Sequence, residues 1–149
     1  MSRSKRSKHE TLEVTIIISR SQHLQLQVVP IPKEAADSTK TTFLEEGENQ
    51  DIELLDIPEH SSLTQMTQPG APYFYAELPN RVKLFHRIRS GFPIQFGREV
   101  AAGILEVPER VDWRECKVDK AEEAEMTKAF RKMFTPFDFT LEDEEGGDE

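Results

Sequence analysis

Runs of apolar and β-branched residues, several of them alternating with polar residues, predict five β-strands. The predicted strands cover residues 12–19, 23–31, 52–57, 72–78 and 81–88. Pro30 and Pro32 end the second strand, because proline cannot donate a ladder hydrogen bond. Pro79 and Asn80 join the last two strands as a hairpin. The polar stretch 33–50 predicts either a short helix or a mobile excursion.

Apolar residues at helical spacing predict a helix that opens at Phe92-Pro93, where the missing N–H of proline costs nothing. Its stripe consists of Phe96, Val100 and Ile104. Gly97 and Gly103 each weaken this helix by about 1 kcal/mol relative to alanine. That cost is tolerable where another element packs closely against the glycine.

A second helix is predicted over residues 119–134. Asp119 caps it, Glu122 follows three residues later, and Pro136 stops it. Its stripe, which we expect to be buried, consists of Met126, Ala129, Phe130, Met133 and Phe134. The elements together predict an α+β fold of antiparallel strands with two packed helices.

The second strand has two distinct faces. Its polar face consists of His23, Gln25 and Gln27, and its apolar face consists of Leu24, Leu26 and Val28. This layout resembles that of the histidine-triad nucleotidyl hydrolases and transferases, in which the middle residue is a His that attacks a nucleotide α-phosphate. The middle residue here is Gln25, whose amide nitrogen has a delocalised lone pair and is not a nucleophile. The pattern predicts a phosphate-handling strand without its catalyst or, more commonly, an ordinary amphipathic strand.

The last predicted strand is basic on one face. That face consists of Arg81, Lys83, Phe85, Arg87 and Arg89. Four cations around an aromatic ring, with Tyr73 and Tyr75 on the partner strand, suit phosphates and stacking on an unpaired base. The alternative is a solvated sheet face whose charges protect an edge. His86 lies on the opposite, mainly apolar face, where a hydrogen-bonded core residue is commoner than a catalyst.

Composition and charge indicate that both ends of the chain are tails. The 149 residues are 36% hydrophobic and 32% charged, so part of the chain should be tail or loop. The net charge of −9 is unevenly placed, since residues 1–11 are basic and residues 142–149 are acidic. We expect both ends to be disordered. The basic segment at residues 1–11 has three interpretations: a nuclear localisation signal, an arm that binds by charge, or a solvated tail.

The sequence offers little support for a metal site or a membrane-spanning segment. Cys116 is the single cysteine, which excludes an internal disulfide and a cysteine-based metal site and fits a reducing intracellular compartment. The four histidines are scattered without metal-ligand spacing, so we expect no metal and no cofactor. The apolar run at 14–19 is too short to span a membrane.

Six segments together resemble the C-terminal region of the CwfJ, or Cwf-nineteen-like, splicing factors over about residues 21–141. They are HLQLQVVPIP (23–32), PYFYAEL (72–78), LFHRI (84–88), FPIQFGREV (92–100), VDWREC (111–116) and FTPFDFTL (134–141). The resemblance implies a partial histidine-triad-like module at 12–68 and a CwfJ-specific C-terminal domain at 69–141. The expected tails at 1–11 and 142–149 flank these two parts.

The resemblance also implies functions for individual residues. The family has Gln at the position of Gln25, so a working hydrolase is not implied, and His23 and Gln27 are remnants of a phosphate pocket. The residues implied to line an RNA or partner surface are His86, Arg87, Gln95 and Arg98. Such proteins normally also carry a metallophosphoesterase-like domain and further strands before the triad strand. This sequence does not show them, so we expect a fragment or a truncated gene product.

We therefore expect a nuclear, non-catalytic pre-mRNA splicing factor that binds RNA or the late or post-release spliceosome and assists lariat debranching and intron turnover. Its expected partners are RNA, spliceosome components and the lariat debranching enzyme, with no membrane contact. The alternative is a nucleotide hydrolase or transferase of the histidine-triad superfamily with a reshaped pocket, against which Gln25 argues.

Overall fold

Five antiparallel strands form one sheet in the computed structural model, which describes residues 11–20 and 23–144. The strands are β1 (Thr11–Arg20), β2 (His23–Pro32), β3 (Leu55–Ile57), β4 (Tyr73–Leu78) and β5 (Val82–Arg87). Their order across the sheet is β2-β1-β4-β5-β3, so β2 and β3 form its edges. The predicted α+β class and the predicted β4–β5 hairpin are confirmed.

Within the described ranges, four α-helices accompany the sheet. They are α1 (Ala36–Asn49), α2 (Leu63–Met66), α3 (Phe96–Ile104) and α4 (Lys120–Phe134). The helix alternative for residues 33–50 is therefore right, and α1 buries Thr39, Phe43 and Gly47. The stripe predicted for α3 is also confirmed, since Phe96 and Val100 are buried and Ile104 packs against the same core. The two packed helices are thus α1 and α3.

The main core lies between one face of the sheet and these two helices. β1 contributes Val14, Ile16 and Ile18, and the helices contribute Phe43 and Phe96, whose rings meet edge to face at 6.4 Å. A smaller cluster on the opposite face consists of Ile57, Tyr75 and Phe85, with Leu63 and Met66 packed against it. The chain around α2 therefore covers part of the second face of the sheet.

The described residues from Asp112 onward form a compact unit separate from the described residues up to Val111. The predicted cap of α4 is confirmed, because Asp119 Oδ1 accepts hydrogen bonds from the N–H groups of Ala121 and Glu122 at 2.9 Å. Its apolar stripe is exposed, with Phe130 at 62% and Met133 at 67%. The prediction that these two residues belong to the core is wrong, since an apolar stripe shows only that a helix has an apolar face.

The predicted domain boundary between residues 68 and 69 runs through the sheet. β1, β2 and β3 precede it, β4 and β5 follow it, and β1 pairs directly with β4. The structure divides into two compact units between Val111 and Asp112. The boundary between residues 68 and 69 as a division between family modules stays a prediction. Most of the two predicted tails, residues 1–10 and 145–149, lies outside the described residues, whereas Thr11 begins β1 and a 3-10 turn reaches Glu144.

Candidate functional site

The polar row of β2 lies on the same face of the sheet as the main core. Gln25 stands opposite Ile18 and Gln27 stands opposite Ile16 in the antiparallel register with β1. Gln27 is half-buried, whereas His23 and Gln25 are exposed. The row therefore runs from the helix-covered core into solvent at the edge of the sheet. The apolar row of β2 faces the opposite side and is exposed.

The chemistry of this row is limited to hydrogen bonding at its middle position. Gln25 offers an amide oxygen and an amide nitrogen, neither of which attacks phosphorus. In the part of the chain that the structure describes, no group of three or more His, Cys, Asp or Glu side chains is placed to hold a metal ion.

A groove of about 440 Å³ lies beside Gln27, between β2 and α3. Ala101, Ala102, Leu105 and Val107 line its apolar part, and Arg98 and Arg110 complete the lining. Arg98 Nε donates a hydrogen bond to the backbone oxygen of Arg110 at 2.8 Å, which ties α3 to the turn after it. The structure thus brings together Gln27 and Arg98, two residues that sequence reasoning named separately. Arg110 was missed, and no periodicity or motif in its surroundings indicates it.

His86 lies far from the β2 row, although both are on the same face of the sheet. His86 pairs with Phe74, Phe74 with Ile18, and Ile18 with Gln25. Three strand spacings of about 4.8 Å separate His86 from Gln25 by about 14 Å. The polar row of β2 and His86 therefore lie in different parts of the sheet.

A cavity of about 510 Å³ surrounds His86 at the end of β5. Its polar lining consists of His86, Arg87, Arg89, Ser90, Gln50, Asp51 and Glu53. His86 Nδ1 lies 2.8 Å from the backbone oxygen of Glu53, and its ring stacks on Phe92 with centroids 5.5 Å apart. Because a carbonyl oxygen only accepts, Nδ1 is the donor in this contact.

The predicted basic face of β5 is largely engaged by the segment around α2. Arg81 Nη1 donates to Glu59 Oε1, and Lys83 Nζ donates to the backbone oxygen of Glu59, both at 2.7 Å. Arg87 Nη2 donates to the backbone oxygen of Met66 at 3.2 Å. Arg89, which is exposed, extends from the end of the strand toward the His86 cavity.

Phe85 corrects one expectation about this face. Its side chain is fully buried and stacks on Tyr73 with ring centroids 6.1 Å apart, so it forms part of the smaller core cluster. Strand alternation correctly placed Phe85 on the cationic face, but the segment around α2 covers its ring. An exposed platform for base stacking is therefore not present at Phe85.

Two further polar groups complete the description of the sheet and α3. Gln95 is exposed at the residue before α3, apart from the His86 cavity.

Tyr75 is buried, and its hydroxyl donates to Glu77 Oε2 at 3.0 Å. Burial raises the pKa of Tyr75 well above its usual value, and the Glu77 carboxylate raises it further. Tyr75 is therefore a neutral structural group at physiological pH.

No helix within the described residues has both the length and the apolarity needed to cross a membrane.

Comparison with known proteins gives a family match over most of the chain. The profile of the family described as "Protein similar to CwfJ C-terminus 2" matches residues 47–140. The sequence is 56% identical to CWF19-like protein 1 of Xenopus laevis over 128 residues, which is 83% of this chain and 24% of that protein. It is 52% identical to CWF19-like protein 1 of Homo sapiens, with the same coverage.

A plant relative shows the same coverage at lower identity. Zinc finger CCCH domain-containing protein 64 of Arabidopsis thaliana is 36% identical over 131 residues, or 83% of this chain and 22% of that protein. The chain thus spans about a quarter of the length of the curated relatives it matches.

Proposed function

The chain belongs to the CwfJ family, in the C-terminal region of that family, and from this premise we propose that it is a splicing-related factor that acts by binding. In this proposal it works in the nucleus, binds RNA or the late or post-release spliceosome, and assists lariat debranching and intron turnover. Spliceosome components and the lariat debranching enzyme are its proposed partners.

The observation that carries the non-catalytic part of the proposal is the position of Gln25. It lies in the middle of the polar row of β2, exposed at the edge, where a histidine would be needed to attack a nucleotide phosphate. His23, at one end of that row, pairs with Arg20 at the hairpin end of the two strands. An amide at the central position retains hydrogen bonding to a phosphate oxygen while lacking nucleophilic power.

The RNA-contacting part of the proposal centres on the His86 cavity. Arg89 lines the cavity with an exposed side chain. Arg87 also lines it, although its guanidinium donates to the backbone oxygen of Met66 on the other face of the strand. Asp51 and Glu53 line the same cavity, so its charge is mixed and its phosphate contacts are few. Arg81 and Lys83 contribute less, because both already bind Glu59.

Salt dependence tests this assignment. For single-stranded RNA, log K falls with log salt by about 0.7 per neutralised phosphate, so the double change Arg87→Gln/Arg89→Gln should flatten the slope by up to about 1.4. All sequences should lose affinity alike, because phosphate contacts carry no base identity. The matched control is Lys128→Gln/Arg131→Gln on α4, which removes the same charge from the other unit and should leave the slope unchanged.

Fluorescence anisotropy with a labelled oligonucleotide gives the slopes. A slope that survives the Arg87/Arg89 change would contradict RNA contact at this cavity. The cavity would then be better described as a protein-binding surface.

A further inference from the structure

The connection between α1 and β3 lines the His86 cavity with hydrogen-bond acceptors. It contributes Gln50, Asp51 and Glu53 to the lining. The amide nitrogen of Gln50 donates to a glutamate of α1 at 2.6 Å and to a glutamate of α3 at 2.9 Å, so its oxygen is left as an acceptor. Within the described part of the chain, the carboxylates of Asp51 and Glu53 have no hydrogen-bond or ion-pair partner. A carboxylate accepts hydrogen bonds and donates none, so these acceptors suit a ligand that brings donors.

The segment that follows His86 lines the same cavity with donors and an aromatic pair. Arg89 and Ser90 are exposed, and neither side chain bonds to another described residue. The ring of His86 stacks on that of Phe92, and both residues belong to the lining. The volume of about 510 Å³ falls within the range of about 300–1,000 Å³ that is usual for ligand pockets. A ligand that suits the whole lining therefore combines hydrogen-bond donors with a negative charge.

We infer that this cavity holds one unpaired guanine of an RNA strand, an inference that rests on the proposed RNA binding. The Watson–Crick edge of guanine carries N1–H beside the 2-amino group, so it donates two parallel hydrogen bonds to one carboxylate. Asp51 or Glu53 supplies that carboxylate, and Arg89 binds a phosphate of the same strand. The cavity thus adds base identity to phosphate contacts that carry none.

Guanine suits these acceptors better than the other bases do. Adenine and cytosine each have an unprotonated ring nitrogen beside the amino group, and uracil has its N–H between two carbonyl oxygens. Those lone pairs would face the lone pairs of a carboxylate, which cannot donate to them. A lysine or arginine of a protein partner would also suit the carboxylates, but it would meet the like charge of Arg89 in the same cavity.

Fluorescence anisotropy with the full chain tests the base preference. The probes are labelled uridine oligonucleotides of one length that carry a single central guanine, hypoxanthine or adenine, so their phosphate charge is identical. The guanine probe should bind about tenfold more tightly than the adenine probe, because hydrogen bonds to charged groups typically have that effect. The hypoxanthine probe should lie between them, since it keeps N1–H and lacks the 2-amino group.

The variant Asp51→Asn/Glu53→Gln assigns the preference to the cavity. Asparagine tolerates the positive φ of 56° at Asp51, so the backbone there is retained. Affinity for every probe should rise, because two charges that repel phosphate are removed, while the guanine-to-adenine affinity ratio should fall toward one. The matched control is Glu13→Gln/Glu45→Gln, which removes the same charge from exposed residues outside the lining and should leave the ratio unchanged.

The outcomes separate this inference from the proposed function. Equal affinity for the three probes, or a ratio that survives the Asp51/Glu53 change, overturns the guanine inference while RNA binding itself stands. Failure to bind any probe overturns both. Guanosine monophosphate should displace the guanine probe more effectively than adenosine monophosphate does. A chain that binds guanosine monophosphate but no oligonucleotide would overturn the inference in favour of a free nucleotide.

Discussion

Gly97 sets how closely α3 approaches the sheet, and replacing it with alanine should cost stability. A Cβ at position 97 would lie 2.9 Å from Ile16 Cγ2, 3.1 Å from Ile16 Cδ1 and 3.2 Å from Phe74 Cε2. Ile16 and Phe74 are fully buried, so neither side chain can move without disturbing the main core. The helix would have to shift away from β1 and β4, and Arg98 would move with it.

Gly103 on the same helix provides a matched control. Apart from its chain neighbours and the backbone of its own helix, no described atom lies within 4 Å of a Cβ built at that position. Both substitutions gain up to about 1 kcal/mol of helix propensity. Gly97→Ala additionally overpacks the core, which typically costs about 1–3 kcal/mol. We therefore expect Gly103→Ala to raise the free energy of unfolding by up to about 1 kcal/mol, and Gly97→Ala to lower it by up to about 2 kcal/mol.

Urea unfolding followed by circular dichroism measures both free energies. The two variants should differ by about 1–3 kcal/mol, and the transition slopes should match, because the same surface unfolds in each. Equal stabilities, or a more stable Gly97→Ala, would refute the close packing of α3 against the sheet.

Three other outcomes follow from the same structure. Phe85→Ala should lower the free energy of unfolding by about 3–5 kcal/mol in denaturant titrations, because its ring is fully buried. Phe130→Ala, at a mostly exposed position, should change that free energy by less than about 1 kcal/mol. Similar losses in the two variants would show that the burial of one ring is misassigned. The raised pKa of Tyr75 means that its hydroxyl stays protonated in the folded state at pH values where the unfolded phenol ionises. The free energy of unfolding should therefore fall as pH rises above about 10. Urea titrations of Tyr75→Phe should lack this component of the pH dependence. Incubation with a radiolabelled dinucleoside polyphosphate should trap no covalent nucleotide, because Gln25 is not a nucleophile; an adduct that disappears in His23→Ala would refute this.

The strands and the hairpin were predictable because their signals are local. Period-two alternation and the Pro79-Asn80 turn placed β4 and β5 to within one or two residues. The apolar stripe of α3 and the Asp119 cap of α4 were also predictable, since spacing and capping chemistry act within one or two turns of helix. The predicted start of α3 at Phe92-Pro93 is wrong, because the helix begins at Phe96.

What could not be predicted depends on contacts between distant segments. The buried positions of α1 are Thr39, Phe43 and Gly47, and Phe43 is the one large apolar residue among them. The buried face of α1 therefore shows no apolar stripe in the sequence. Phe85 alternates with cations, yet the segment around α2 covers it, and no local pattern indicates that contact. The groove beside Gln27 likewise depends on Arg110, which approaches β2 only through the turn after α3.

Affinity purification from nuclear extract shows whether this chain binds the components of intron turnover. The tagged full chain and its Arg87→Gln/Arg89→Gln variant are used as bait, and the bound material is probed for excised lariat intron RNA and for the debranching enzyme. Both should co-purify with the unmodified chain, and the lariat RNA should be depleted on the variant. Recovery of neither at levels above a tag-only control would contradict the claim that this chain is a binding factor in intron turnover.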